Sequence, residues 1–191
     1  CRMEIKVELT KHPKQKPDMN HLGFGNYYTD HMFEMDYTEG IGWHDARIMP
    51  YHSLEMDPAS MVLHYGQSTF EGLKAYRGKD GTISLFRPEK NMERLNISNH
   101  RLVIHQFDAE FGVEAIKKLV SIDRDWIPEG EGTSLYIRPF IIATDVHVGV
   151  HPSKTYKFMI ILSPVGSYYK EGINPVRIYV EDEYCRAVRG G

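Results

Sequence analysis

Leu73-Lys74-Ala75-Tyr76-Arg77-Gly78-Lys79-Asp80-Gly81-Thr82-Ile83-Ser84-Leu85-Phe86-Arg87-Pro88 is the stretch that decides the fold class of this chain. Two short runs suited to strands flank Gly78-Lys79-Asp80-Gly81, whose residues suit a tight turn, so the segment reads as a β-hairpin. Pro88 follows at a place where proline suits the first turn of a helix, because its missing N–H has no partner to lose there. A hairpin thus hands over to a helix.

Upstream, residues 27–37 and 42–50 read as strands broken at Glu39-Gly40. Residues 1–20 combine an alternating stretch, 3–9, with a Pro/Lys-rich piece, 11–17, and read as an arm or edge strand. Downstream, Met92, Leu95, Ile97, Leu102 and Val103 supply apolar faces for one or two helical segments ending near Ile104. A further helix follows. Asp108 suits its N-cap, Phe111, Ala115, Leu119 and Ile122 recur at helical spacing, Lys117 and Lys118 fall in later turns, and Pro128 with Gly130 closes the region. Residues 134–143 and 155–163 are β-rich. Strands, then helices, then strands argue α+β rather than a doubly wound sheet. Turn-forming residues at 163–172 read as a linker, and residues 175–180 alternate as though another strand begins.

The 191 residues are enough for one large domain, or for one domain and the start of a second. With 41% hydrophobic and 26% charged residues the composition is that of a packed globular chain. A formal charge of -3 provides no basic field for nucleic acid. Apolar runs such as 158–162 are too short to cross a bilayer, so no membrane partner is expected. Cys1 and Cys185 lie far apart, which argues against a disulfide framework and for a reducing, cytoplasmic setting.

Ten histidines raise a metal reading, with His147/His151 and His100/His105 nearest in sequence. Gly149 and Pro152 make the first pair a poor helix, and no cysteine pair or carboxylate set completes a site, so no metal is expected. Gly23-Phe24-Gly25 lacks the later glycine and the helix of a phosphate loop. Serine-nucleophile elbows are absent.

What remains is a series of ordered blocks. They are Phe24-Gly25 with Thr29-Asp30-His31-Met32, Leu63-His64-Tyr65-Gly66-Gln67-Ser68-Thr69-Phe70-Glu71-Gly72-Leu73-Lys74-Ala75, Leu85-Phe86-Arg87-Pro88, Asn91-Met92-Glu93-Arg94-Leu95, Gly132-Thr133-Ser134-Leu135-Tyr136-Ile137-Arg138-Pro139, Gly149-Val150, Ser163-Pro164-Val165-Gly166 and Arg186-Ala187-Val188-Arg189-Gly190-Gly191. In order and spacing they resemble the branched-chain amino acid aminotransferases, fold-type IV enzymes that depend on pyridoxal 5'-phosphate (PLP). The resemblance runs from about Phe24 to Gly191. It implies a small N-terminal α+β domain over 21–163 after the arm at 1–20, an interdomain linker at 164–174, and the first strand of a large domain at 175–191.

The resemblance also implies roles. Arg94 matches the arginine that binds the cofactor's phosphate, for which a planar guanidinium is well suited, and Arg186 matches an arginine near the cofactor. Phe24, Tyr65, Phe70 and Tyr136 match walls of the substrate pocket, where rings enclose an aliphatic side chain. Arg138 would share a strand face with Tyr136, and would either orient it, meet the acidic side chain of glutamate, or make a structural ion pair. Val150 matches a residue that reaches the neighbouring subunit's pocket in a homodimer, and Tyr168 falls in the loop covering the substrate. From sequence alone, without the resemblance, Arg94 reads as a solvent-facing helix arginine, Arg186 as a charged strand end and each aromatic as a core residue.

The lysine that holds the cofactor is expected beyond Gly191, so residues 1–191 alone are expected to be inactive. The implied reaction of the complete polypeptide moves an amino group between leucine, isoleucine or valine and 2-oxoglutarate. Alternatives are a D-amino acid aminotransferase or aminodeoxychorismate lyase of the same fold, or a non-catalytic small-domain module that dimerises or occludes a site.

Overall fold

The computed structural model describes residues 3–167 and 174–187. Eight strands form one sheet in the order β1-β3-β2-β8-β7-β5-β6, with β4 pairing β7 beside that path. The strands are β1 Lys6–Val7, β2 His31–Thr38, β3 Gly42–Pro50, β4 Ser68–Phe70, β5 Leu73–Arg77, β6 Ile83–Leu85, β7 Ser134–Ala143 and β8 Thr155–Val165. Every pairing is antiparallel except β1 with β3. The hairpin is present as β5 and β6, with Gly78 N–H donating to the Thr82 carbonyl across the turn at 2.8 Å.

Three α-helices, α1 Val62–Tyr65, α2 Pro88–Arg101 and α3 Ala109–Ile122, and a short 3-10 helix, Arg124–Trp126, complete the described elements. Pro88 occupies the first turn of α2. The buried stripe of α2 is Pro88, Met92, Leu95 and Asn99, the i, i+4, i+7, i+11 spacing of one helix face. Ile97, expected on that face, lies off the stripe and is exposed. Leu102 and Val103 are also exposed, and α2 stops before them, with Val103 at φ 58°. Asp108 caps α3 as its sequence predicts: the carboxylate accepts the Glu110 N–H at 3.0 Å. Asp108→Ala should therefore lower the chain's stability by about 1 kcal/mol, read as a shift of the urea unfolding midpoint at unchanged slope.

The core lies between one sheet face and these two helices. Phe33, Met35, Ala75, Leu135, Ile137, Ile141, Phe158, Ile160 and Leu162 meet Met92, Leu95, Phe111, Ile116 and Leu119, all buried. Because side chains alternate along a strand, the intervening residues point to the other face. In the middle of the sheet that outer face carries an ion cluster. Buried Glu34 meets Arg47 at 2.6 Å, His52 at 2.7 Å and Lys157 at 3.5 Å, and Asp36 bonds to Arg47 and Lys157. Register explains the grouping, since Glu34 pairs with Arg47 on one side and Asp36 pairs with Lys157 on the other.

Three strand expectations change in contact with the structure. Residues 27–30 do not join β2: Thr29 N–H donates to the Leu162 carbonyl and the Tyr27 carbonyl accepts from the Ser163 hydroxyl, so their hydrogen bonds are met outside a regular ladder. Of 3–9 only Lys6–Val7 pairs, as a parallel edge strand with Ile5 buried beside it. Residues 175–180 make no strand pairing and are exposed; alternation alone cannot make a strand whose N–H and C=O groups have no neighbouring strand to meet. β8 runs on through Val165, two residues past the expected 155–163 and into the stretch read as linker.

A buried polar joint fastens the arm. His31 Nδ1 lies 2.6 Å from Asp123 Oδ1, the His31 N–H donates to Asp123 Oδ2 at 3.0 Å, and His31 Nε2 accepts the Thr10 N–H at 2.9 Å. Both side chains are almost wholly buried.

Candidate functional site

β7 divides its side chains between core and site. Leu135, Ile137, Pro139 and Ile141 are buried, whereas Tyr136, Arg138 and Phe140 stand on the outer face and are partly exposed. Phe70 pairs with Phe140, and Lys74 with Tyr136, which brings β4 and β5 alongside.

Four of the residues expected in the substrate pocket converge here. The Phe24 and Tyr136 rings meet edge to face with centroids 5.0 Å apart. Arg138 donates from Nη2 and Nε to the Tyr136 hydroxyl oxygen at 2.8 and 3.3 Å, and its guanidinium lies 4.4 Å from the centroid of the Phe70 ring. Within the chain, Arg138 thus makes the contact with Tyr136 that the orienting reading requires. That hydroxyl accepts two hydrogen bonds from arginine, which leaves its own hydrogen to donate elsewhere. Phe70 is 63% exposed, an unusual state for a ring that is packed on one side by a cation.

Gly72 completes this wall. A Cβ at Gly72 would overlap the Tyr136 hydroxyl and come within 3.0 Å of the ring carbon bearing it. The position is glycine because the phenol passes directly over its backbone.

Arg94 lies on α2. Its side chain is 67% exposed, yet Nε and Nη2 are bound at 2.5 and 2.8 Å by the two oxygens of Glu71, whose own side chain is only 4% exposed. Asn91 Nδ2 donates to Glu71 Oε2 at 3.1 Å, and the Gly72 N–H does so at 3.3 Å. Burial raises the Glu71 pKa. The hydrogen bonds from Arg94 and Asn91, the Arg94 charge and the Gly72 N–H together outweigh that and hold it below the ordinary carboxylate range. The same contact pushes Arg94 up. Beside Arg94 opens a hollow of about 250 Å³ lined by Phe86, Arg87, Lys90 and Asn91.

This arrangement suits a phosphate group. A guanidinium has five N–H donors and Glu71 engages two groups, so donors remain on Nη1 and Nη2 facing a hollow lined by two further cations.

The remaining expected residues sit apart from this cluster. Tyr65, at the end of α1, donates its hydroxyl to the Val148 carbonyl, so it is tied to the loop that carries Val150. Gly66 ends α1 in the left-handed conformation, φ 63°, which turns the chain into β4. Val150 is 86% exposed and Arg186 is exposed; among the described residues no hydrogen bond or ion pair joins either to the Tyr136 cluster. Tyr168 lies outside the described residues. The paired histidines have local roles: the His147 and His151 ring centroids are 4.4 Å apart, and His147 Nδ1 accepts the Gly149 N–H. Among the described residues no three His, Cys, Asp or Glu side chains gather as a metal site would require, and no helix is long and apolar enough to cross a membrane.

Sequence reasoning missed Glu71, Gly72 and Asn91 as site residues. The available signal was an acidic residue and a glycine next to Phe70, inside a block already singled out.

Comparisons with known proteins fit this geometry. No family model matches the chain. It is 64% identical over 190 residues to branched-chain-amino-acid aminotransferase 2 of Bacillus subtilis (strain 168), covering 100% of the chain and 52% of that relative. It is 58% identical over 188 residues to branched-chain-amino-acid transaminase 1 of the same organism, covering 98% and 53%. The chain spans about half the length of the curated relatives it matches. Among solved structures, the branched-chain aminotransferase of Thermoproteus uzoniensis with norvaline shares the fold at TM-score 0.56 and 24% identity over 72% of the chain and 43% of that protein. A second solved branched-chain amino acid aminotransferase, from T.th., carries pyridoxamine 5'-phosphate and aligns at TM-score 0.52 and 27% identity, over 72% and 41%.

Proposed function

We propose, for a chain that belongs to the branched-chain-amino-acid aminotransferase family, that the full-length polypeptide transfers the amino group of leucine, isoleucine or valine to 2-oxoglutarate with PLP as cofactor. The observation that carries this reading is the junction at Phe70-Glu71-Gly72. Within three residues it supports an aromatic pocket wall on one side and, on the other, an arginine with donors to spare for phosphate.

When bound, PLP supplies the electron sink that the reaction needs and that no amino acid side chain provides. This chain's own residues bind and orient. Arg94 holds the phosphate by charge-assisted hydrogen bonds, with Lys90 and Arg87 adding positive charge at the hollow. Phe24, Phe70 and Tyr136 exclude water and enclose a branched aliphatic side chain. Arg138 holds the Tyr136 hydroxyl so that its hydrogen is directed away from the arginine, toward a polar group of the substrate. Residues 21–163 act as the small domain and 164–174 as the linker to the large one, whose start is 175–191. Arg186 is a second residue near the cofactor, and Tyr168 helps to cover the substrate. The enzyme works in the cytoplasm as a homodimer. Leu63, Val146, Val148 and Val150 are all exposed apolar residues around the Tyr65 contact and supply the surface by which Tyr65 and Val150 would serve a neighbouring subunit.

The test uses full-length protein. With PLP, valine and 2-oxoglutarate it should form glutamate and 3-methyl-2-oxobutanoate in equal amounts, and Arg94→Lys should raise the half-saturating PLP concentration about tenfold by losing the planar fork. A protein that binds PLP but converts none of the three amino acids would refute the reading.

A further inference from the structure

We propose that Glu71 is a positioning residue for the cofactor's phosphate, one that fixes the Arg94 guanidinium in a single orientation and links it rigidly to the pocket wall. The inference rests on the phosphate role of Arg94 proposed above and goes beyond it by assigning work to a residue that touches neither cofactor nor substrate.

The geometry is that of a built support. Arg94 is mostly exposed, and an exposed arginine ordinarily samples many rotamers, all but one of which must be given up when it grips an anion. Here two of its nitrogens are already held by a carboxylate that is 4% exposed. That carboxylate is itself fixed by Asn91 Nδ2 and by the Gly72 N–H, and the Glu71 N–H donates to the Pro139 carbonyl of β7 at 2.9 Å. Asn91 also donates to the Gly72 carbonyl at 3.3 Å, so one helix turn of α2 reads both residues of the junction. One strand repeat earlier, buried Thr69 bonds to buried Asn99 at 2.7 Å. Thus 69 and 71 face α2, while 70 and 72 face the site. A displacement of the phosphate clamp is thereby a displacement of Phe70 and of the glycine under Tyr136.

Two effects of Glu71 oppose each other. Its negative charge lies close to where a dianionic phosphate would sit, and by Coulomb's law alone that weakens binding. Its bidentate hold on Arg94 strengthens binding by ordering the guanidinium beforehand. Positioning and charge therefore predict opposite signs for Glu71→Gln, which keeps the shape and removes the charge and the strong bidentate contact.

The experiment titrates full-length protein with PLP and, separately, with pyridoxal, which lacks the phosphate, following tryptophan fluorescence. If Glu71 positions Arg94, E71Q raises the half-saturating PLP concentration about tenfold and leaves pyridoxal within about twofold of the unsubstituted protein. Glu71→Asp, which keeps the charge but withdraws it by one methylene, gives an intermediate loss and decides the matter if E71Q does not fold. PLP affinity that is unchanged or tighter in the folded variants overturns the proposal. So does an equal loss for PLP and pyridoxal, the outcome expected if Glu71 only ties α2 to the sheet as Thr69 does. The parallel R94K titration separates the two levels: unchanged PLP affinity there removes the phosphate role itself, whereas a loss there without one in E71Q removes only the role of Glu71.

Discussion

Gly72→Val in the full-length protein should lower kcat/KM for valine by about a hundredfold or more, with the protein still folded. The Tyr136 hydroxyl occupies the space in which the new Cβ would stand, and the ring carbon behind it is only 3.0 Å away. Valine at this position must therefore push the phenol outward, and Arg138 cannot follow without leaving the Phe70 ring. The displaced groups are those proposed above to form the pocket wall. Gly72 shows no left-handed φ, so the loss is steric rather than conformational, and Gly72→Ala should fall between the two proteins in proportion to its smaller side chain. Steady-state kinetics beside a thermal melt check this. A melting temperature that collapses together with activity would make the loss one of folding rather than of the site, and a valine variant that retains full kcat/KM would show that Tyr136 is free to move without consequence.

Asp123→Ala should be the most destabilising of the substitutions considered, at about 3 kcal/mol or more. Asp123 accepts both the backbone N–H and the ring Nδ1–H of His31 in a site shielded from water. The hydrogen is on Nδ1 because Nε2 accepts the Thr10 N–H. Alanine leaves two buried donors with no acceptor, and each such orphan costs about 1–3 kcal/mol. Asp123→Asn retains an acceptor and should lose less. Urea denaturation of the chain reports the size of the effect. Limited trypsin digestion reports where it acts, since a slackened His31 frees Thr10 and with it the arm, making the backbone beside the already exposed Lys6 and Lys11 easier to cleave. An unchanged midpoint would mean that water reaches the joint and replaces Asp123.

How far the sequence carried the fold depended on whether local residues and tertiary partners agreed. The hairpin, the cap at Asp108 and residues 134–143 were legible because turn chemistry, capping and alternation are local properties. Residues 175–180 alternate as well as many real strands, but among the described residues they meet no partner strand, and pairing is a property of the neighbour. Ile97 was misplaced since a helix face is set by the angle of the packed stripe, which Met92, Leu95 and Asn99 define. In the candidate site, aromatic and arginine residues were singled out because large rings and guanidinium groups are conspicuous. Glu71 and Gly72 were not. A carboxylate reads as solvated surface until its burial is seen, and a glycine reads as a turn until the tyrosine above it is seen.

The alternation along β7 separates two kinds of variation. Odd-numbered positions from 135 to 141 face the helices, and even-numbered ones from 136 to 140 face the open side of the sheet. A combinatorial library confined to the even set would redraw the outline of the cleft at nearly constant foldability. One confined to the odd set would spend its diversity on unfolded variants. If this face is the substrate wall proposed above, preference can drift by single-codon steps along one strand, with Gly72 and its overlying phenol obliged to change together and Arg138 coupled to that phenol.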